Sequence, residues 1–83
     1  MTTIRIPPTL RPETGGAREV PAAGETVRDL LDDLTARFPT LEGKLAHANV
    51  YVDGEDVRTL DGEETLVREG ATVILLPAMA GGA

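Results

Sequence analysis

Residues 26–39 decide the fold, and they read TVRDLLDDLTARFP. Their apolar side chains recur at spacings of three and four, which places them on one stripe of an α-helix. The stripe consists of Val27, Leu30, Leu31, Leu34 and Phe38. Thr26 is suited to cap the helix, Asp29 completes a capping-box pattern, and Pro39 ends the helix. The stretch therefore predicts one amphipathic helix with its stripe against a core. Its polar face carries acidic residues that we interpret as serving solvation and the helix dipole: Asp29, Asp32 and Asp33.

The sequence before the helix predicts a β-hairpin. Residues 2–6, TTIRI, alternate between polar and apolar, so Ile4 and Ile6 are expected to face inward. Pro7 and Pro8 then end the strand, because proline cannot continue a sheet ladder. A turn, a returning strand and a connector are predicted at residues 13–16, 17–20 and 21–24.

The sequence after the helix predicts shorter strands. Leu41 and Leu45 are expected to anchor a turn beneath the helix. Alternation and turn signals then predict three strands, the last closed by Pro77: residues 49–52, 56–58 and 72–76.

Strands on both sides of a single long helix favour an α+β fold in which one mixed sheet wraps on the helix. A ferredoxin-like arrangement would need a second full helix. We therefore predict a β-grasp domain over residues 1–77, with the first and last strands parallel at the sheet centre. Residues 78–83 are predicted to be a flexible C-terminal Gly-Gly tail.

Composition restricts the possible functions. The 83 residues carry a net charge of −6, no Cys and one His, so disulfides, thiolate metal sites and thiol nucleophiles are excluded and no metal site is expected. Phe38 and Tyr51 are the only aromatic residues apart from the His, and nucleic acid is not an expected partner. No apolar run approaches the roughly 20 residues of a membrane span, and no leader is visible. We expect a cytoplasmic protein with no bound cofactor.

The acidity is concentrated, because six carboxylates and one Arg fall within residues 53–64. One interpretation is a solvated acidic rim. The other is electrostatic steering toward a basic face of a partner protein. Both interpretations stay open.

Three stretches of the sequence carry distinctive motifs: residues 6–12 (IPPTLRP) with 14–16 (TGG), residues 49–52 (NVYV) with 55–58 (EDVR), and residues 73–82 (VILLPAMAGG). These stretches resemble the MoaD/ThiS family of ubiquitin-like sulfur carriers. With the helix they cover nearly the whole chain, and on them the chain is identified as a member of this family.

The resemblance implies a function for Gly81 and Gly82 as the reactive end of a carrier. An E1-like enzyme of the MoeB/ThiF/MoeZ type would use ATP to adenylate the Gly82 carboxylate, and a persulfide would convert it to a thiocarboxylate. Glycines suit this step because a backbone without Cβ can enter a narrow channel. The carrier is then a protein cosubstrate rather than an enzyme.

The resemblance also implies where partners dock. In a period-two strand Val73 and Leu75 share the core face, so Ile74 and Leu76 face the other way. Ubiquitin-like proteins dock to activating enzymes through this face beside the tail; the alternative is that a loop covers it. The expected partner-binding residues are Ile74, Leu76, Pro77, Ala78, Met79 and Ala80.

Ala83 departs from the family pattern, in which the second glycine supplies the free carboxylate. A JAMM-type metallopeptidase removes Ala83, or Ala83 blocks activation, or Ala83 does not belong to the natural chain. We favour removal.

The sulfur acceptor stays open. A PLP-dependent cysteine synthase-like enzyme is favoured, with molybdopterin, thiamin and secondary metabolites (through ThiG-like enzymes) as alternatives. Two rival functions also remain: a ubiquitin-like protein modifier, for which Lys44 would be the single lysine available for chains, and a passive interaction module or subunit.

Overall fold

The computed structural model describes residues 2–45 and 48–77 and forms one sheet covered by a helix. The strands are β1 (Thr2–Arg5), β2 (Glu19–Ala22), β3 (Ala48–Val52), β4 (Glu55–Asp56) and β5 (Thr72–Pro77). The helices are α1 (Val27–Arg37) and α2 (Glu42–Leu45). Short 3-10 segments span Pro8–Thr14, Pro39–Leu41, Val57–Thr59 and Gly62–Glu64.

Helix α1 begins where its sequence predicts. The Thr26 hydroxyl accepts a hydrogen bond from the Asp29 backbone N–H at 3.2 Å, which satisfies one of the free amides of the first turn. The Asp29 carboxylate accepts from the Glu25 N–H at 3.4 Å, one residue before the usual capping-box partner. At the other end the Phe38 N–H still donates to the Leu34 carbonyl at 2.9 Å, and Pro39 follows.

The sheet has the strand order β2-β1-β5-β3-β4. Strands β1 and β5 pair in parallel at its centre, with Ile4 opposite Val73, and the other neighbouring pairs are antiparallel. Together with α1 on one face, this is the β-grasp arrangement, and the predicted fold class is confirmed. The predicted division into residues 1–77 and 78–83 stays a prediction.

The core lies between α1 and the inner face of the sheet. Leu30 and Leu34 of α1 are fully buried, as are Ile4 and Val73 of the two central strands. Leu31 and Phe38, at the margin of the helical stripe, are only partly buried and pack against this core. The apolar side chains that recur with the 3.6-residue period of the helix thus pack in one layer against those that recur with the two-residue period of the strands.

The prediction for the second strand was wrong. Strand β2 occupies Glu19–Ala22, so the segment predicted as a connector supplies two of its residues. The pairing of Thr2 with Ala22 fixes this register and buries Val20 and Ala22 on the core side. Pro21 is compatible with the strand because β2 lies at the sheet edge, where a missing N–H removes no ladder bond.

The predictions for the two later strands need smaller corrections. Strand β4 ends at Asp56, because the Asp56 side chain accepts from the Arg58 N–H at 2.8 Å and turns the chain into a 3-10 segment. Pro77 lies within β5 and pairs with Ala48, whereas it was predicted to follow the strand. A proline is tolerated there because pairing with β1 ends at Ile74, so that β5 is paired only with β3 at this position.

Candidate functional site

The tail continues from β5, the central strand of the sheet. Pro77 is the last described residue, and its backbone is in register with Ala48 of β3. The remaining predicted site residues lie outside the described residues: Ala78, Met79, Ala80, Gly81 and Gly82. Within the described residues, the site consists of the surface from which the tail departs. We call this surface, on the outer face of β5 around Ile74 and Leu76, the tail root.

Strand β5 divides its side chains between two faces. Val73 and Leu75 are 0% and 1% exposed and belong to the core. Ile74 is half-buried and Leu76 is 42% exposed, so both face the outer side of the sheet. The structure has the predicted alternation of these four residues. The role of Ile74 and Leu76 as docking contacts stays a prediction.

Ile74 lies in a row of outward-facing residues that crosses the sheet. It pairs with Arg5 of β1 on one side and with Tyr51 of β3 on the other. Tyr51 is half-buried on the outer face, whereas its neighbours Val50 and Val52 are buried on the core side. Leu76, two residues nearer the tail, pairs with Asn49. An apolar centre with polar flanks is the usual composition of a protein-binding surface.

Ion pairs lie at both ends of this row. Arg5 pairs with Glu19 at 3.4 Å, and Arg58 pairs with Asp56 at 2.7 Å. The hydrogen bonds from the Arg58 side chain lower the pKa of the Asp56 carboxyl below its usual value, and the Arg58 backbone N–H adds to the effect. The row is therefore apolar in the middle and charged, but paired, at its ends.

A third ion pair joins two elements at the tail end of the sheet. Lys44 of α2 pairs with Glu13 of the 3-10 segment Pro8–Thr14. The hydrogen bond from Lys44 lowers the pKa of Glu13, and one from Thr40 adds to the effect. Lys44 is the only lysine of the chain, so its amine is the only one on a side chain.

Several acidic side chains make contacts that support the fold. Asp33 accepts from the Ala23 N–H at 2.9 Å and ties the connector after β2 to α1. Asp53, which adopts a left-handed backbone with φ of 50°, accepts from the Thr72 N–H at 3.0 Å at the start of β5. Glu63 and Glu64 both pair with Arg28. Some of the carboxylates in residues 53–64 therefore contribute to holding the fold together.

The described residues contain no cluster of side chains that could hold a metal ion. Across residues 2–45 and 48–77, no three His, Asp or Glu side chains converge as metal ligands would. His47 lies outside the described residues. No helix in the described ranges has the length and apolar character to cross a bilayer.

Comparison with known families accounts for this combination of fold and tail. The sequence model of the ThiS family matches residues 4–82. The chain belongs to the ThiS family. The match takes in the Gly81-Gly82 pair, and it confirms the family that the motifs indicated.

Individual relatives and solved structures resemble this chain over 69% to 96% of its length. It is 41% identical over 90 aligned positions to sulfur carrier protein CysO of Mycobacterium tuberculosis, covering 96% of this chain and 97% of that protein. It is 38% identical over 64 positions to small archaeal modifier protein 3 of Haloferax volcanii, covering 69% and 70%. A chain of the crystal structure of the Amycolatopsis orientalis BexX/CysO complex matches with a TM-score of 0.88 at 39% identity, covering 94% of this chain and 96% of that one.

Proposed function

We propose that this ThiS-family protein is a sulfur carrier whose reactive group is the C-terminal carboxylate of Gly82. The observation that carries the proposal is the family match through Gly82, on a fold whose central strand leads directly into the Gly-Gly tail. The 41% identity to a sulfur carrier over almost the full length supports it. In this role the protein is a cosubstrate of other enzymes and performs no turnover itself.

A carboxylate resists nucleophilic attack until its oxygen becomes part of a good leaving group. An E1-like enzyme of the MoeB/ThiF/MoeZ type joins Gly82 to the AMP part of ATP and releases pyrophosphate. A persulfide sulfur then attacks the acyl carbon, AMP leaves, and an acyl disulfide forms. A second thiol cleaves the S–S bond, enters a disulfide itself, and leaves the Gly82 thiocarboxylate. ATP is thus bound by the partner, and this chain needs no cofactor.

In this scheme the tail enters the active site of the partner, and the tail root binds the surface of the partner. Gly81 and Gly82 lack Cβ atoms and can enter a closed active site, as can the small residues Ala78 and Ala80. Ile74 and Leu76 supply the docking contacts, because apolar side chains exposed on a small domain gain most by leaving water. Pro77 and Met79 complete the surface that the partner covers.

Activation requires hydrolysis of the Gly82–Ala83 peptide bond, because an internal Gly82 has an amide in place of a carboxylate. We assign this step to a JAMM-type metallopeptidase. The sulfur is then delivered to a PLP-dependent cysteine synthase-like enzyme. Delivery to a ThiG-like enzyme is the alternative, and the PLP of the first scheme belongs to the partner.

The test compares a chain that ends at Gly82 with the 83-residue chain. With the adenylating enzyme of the same organism, the shorter chain should support ATP–pyrophosphate exchange and the longer chain should not. Mass spectrometry of protein purified from the native host should find Ala83 removed and one oxygen replaced by sulfur. Equal exchange by both forms would refute the maturation step, and no exchange by either would refute the carrier function.

A second candidate function is covalent modification of other proteins, favoured by the similarity to small archaeal modifier protein 3. The same activated Gly82 would then be transferred to a lysine amine of a target. Lys44 would be the only lysine able to extend a chain, and its amine is held by Glu13. Isopeptide-linked products in the native host, absent from a strain whose copy ends at Ala80, would favour the modifier over the carrier.

A further inference from the structure

Three arginines line a groove at the end of the β1–β2 ladder. The groove has a volume of about 190 Å³ and lies between Arg5, Arg11 and Arg18, with Ile6 and Glu19 completing its wall. The three are a large share of the 8 basic residues in a chain of net charge −6. The electrostatic potential at this groove is therefore opposite in sign to that expected for an acidic protein as a whole.

Arg11 is held in place by its own loop. Its Nε donates to the Ile6 carbonyl at 3.1 Å, so the guanidinium is fixed against the end of β1. Its carbonyl accepts from the Gly16 N–H at 2.7 Å and from the Thr14 hydroxyl at 3.2 Å. Gly15 and Gly16 have φ of 70° and 88°, values that favour glycine, and so allow the chain to close around Arg11. The IPPTLRP and TGG motifs thus build a support for one guanidinium.

Arg18 is fixed through its backbone and Arg5 through its pairing. The Ile6 N–H donates to the Arg18 carbonyl at 2.8 Å, and Arg5 lies opposite Glu19 in the β1–β2 ladder. Within residues 2–45 and 48–77, no carboxylate lies at ion-pairing distance from Arg11 or Arg18. Glu19 pairs with Arg5 alone. The groove therefore retains two positive charges without an internal counterion.

The groove lies at the same end of the sheet as the tail. Strands β1 and β5 run parallel, and Arg5 is in register with Ile74. Both strands therefore leave the sheet at one edge, where β1 leads into the loop that carries Arg11 and β5 leads into the tail. A partner that grips the tail and covers Ile74 also meets this groove.

At the opposite border of the sheet the charges are paired, because Arg58 binds Asp56 at 2.7 Å. The strand order places Arg5 and the β2 border on one side of β5 and the β3–β4 border, with Asp56, on the other. A partner complementary to the whole outer face therefore presents carboxylates toward β1. This orients the partner about the tail, because rotation by half a turn would move its carboxylates from the arginine groove to the paired charges of the opposite border.

We propose that the Arg5–Arg11–Arg18 groove docks an acidic segment of the enzyme that activates the tail. The proposal rests on the proposed function for the identity of that enzyme, and on the groove alone for the chemistry of the ligand. Guanidinium groups suit carboxylates because their planar N–H donors form paired hydrogen bonds. The Arg11 side chain is fixed by the Ile6 carbonyl before binding, which reduces the ordering cost of the complex.

The first test uses a ten-residue polyglutamate peptide and the full chain labelled with ¹⁵N. The peptide should shift the Nε–Hε signals of Arg5, Arg11 and Arg18 and leave those of Arg28 and Arg68 in place. The double variant Arg11→Gln/Arg18→Gln should bind the peptide about tenfold more weakly at low salt. The control Arg28→Gln/Arg68→Gln has the same net charge and should bind as the parent does.

Two outcomes would overturn the proposal. Equal weakening in both double variants would mean that only net charge matters. Tighter binding of inorganic phosphate than of the peptide, with the same three signals shifting, would mean a phosphate site in place of an acidic-peptide site. Neither result depends on whether Gly82 is ever adenylated.

The second test uses the activating enzyme and the chain ending at Gly82. Arg11→Gln/Arg18→Gln should raise the KM for pyrophosphate exchange about tenfold and leave kcat unchanged, because the groove orients the partner and does not touch the reacting carboxylate. An unchanged KM with normal exchange by the parent would refute the groove and leave the carrier function standing. If the parent itself supports no exchange, the carrier function fails, and the peptide measurement still decides the groove.

Discussion

Strand β5 presents two kinds of side chain on its two faces. Val73 and Leu75 are buried between α1 and the sheet, whereas Ile74 and Leu76 lie on the outer face at the tail root. The residues are similar in size and apolarity and alternate along one strand. The two pairs therefore differ in burial, although their chemistry and their positions in the sequence are nearly the same. The inner pair serves the folded state, and the outer pair is available for a partner.

The largest expected difference between the two faces is in the stability lost when each of two neighbouring leucines is truncated. Leu75→Ala should lower the free energy of unfolding by about 2–5 kcal/mol, because it removes buried methyl groups and leaves a cavity. A domain of this size has a total of about 5–10 kcal/mol, so the midpoint of thermal unfolding should fall clearly. Leu76→Ala removes the same atoms from the outer face and should stay within about 0.5 kcal/mol. Chemical denaturation of both variants measures the difference, and equal losses would mean that the two faces are not distinct.

A second prediction concerns binding. Leu76→Asp should leave the fold intact but weaken the complex with the activating enzyme by about 2 kcal/mol or more, because a carboxylate would have to lose water in an apolar contact. Calorimetry of chains ending at Gly82 measures the affinity.

The matched control for binding is Gly82→Val, which should dock normally and support little pyrophosphate exchange, because its side chain obstructs the channel. Unchanged affinity for Leu76→Asp would mean that recognition lies in the tail alone.

The smallest effect concerns pH. The pKa values of Glu13 and Asp56 are lowered by Lys44 and Arg58, so these pairs stabilise the fold at pH values above the usual carboxylate range. That contribution is lost as the pH falls through the usual carboxylate range and then through the lowered pKa values. Urea unfolding at pH 6 and pH 3 should show a smaller pH dependence for Glu13→Gln/Asp56→Asn than for the parent. An identical dependence would mean that the pairs do not contribute to stability.

Local patterns were sufficient to predict much of the fold. The spacing from Val27 to Phe38 predicted α1, and the alternation of Val73 with Ile74 predicted which side of β5 is buried. Strand β2 was misplaced because a proline weighs against a strand locally, while only the pairing with β1 shows that Pro21 lies at a tolerant edge.

The site was predicted less completely than the fold. Gly81, Gly82 and the outer residues of β5 could be proposed from motifs within a few positions of each other. The arginine groove could not, because Arg5, Arg11 and Arg18 come together only through the β1–β2 pairing and the loop that closes on Ile6. The role of Asp33 was missed for the same reason, since its partner Ala23 lies ten positions away.

The central position of β5 has a mechanical consequence. An enzyme that draws the tail into its channel pulls Pro77 along the strand axis. Strand β5 is hydrogen-bonded to β1 on one side and to β3 on the other, so the load acts on both ladders in shear and on many bonds at once. An edge strand under the same load would peel away one bond at a time. The domain can therefore be held and tugged by its tail without unravelling.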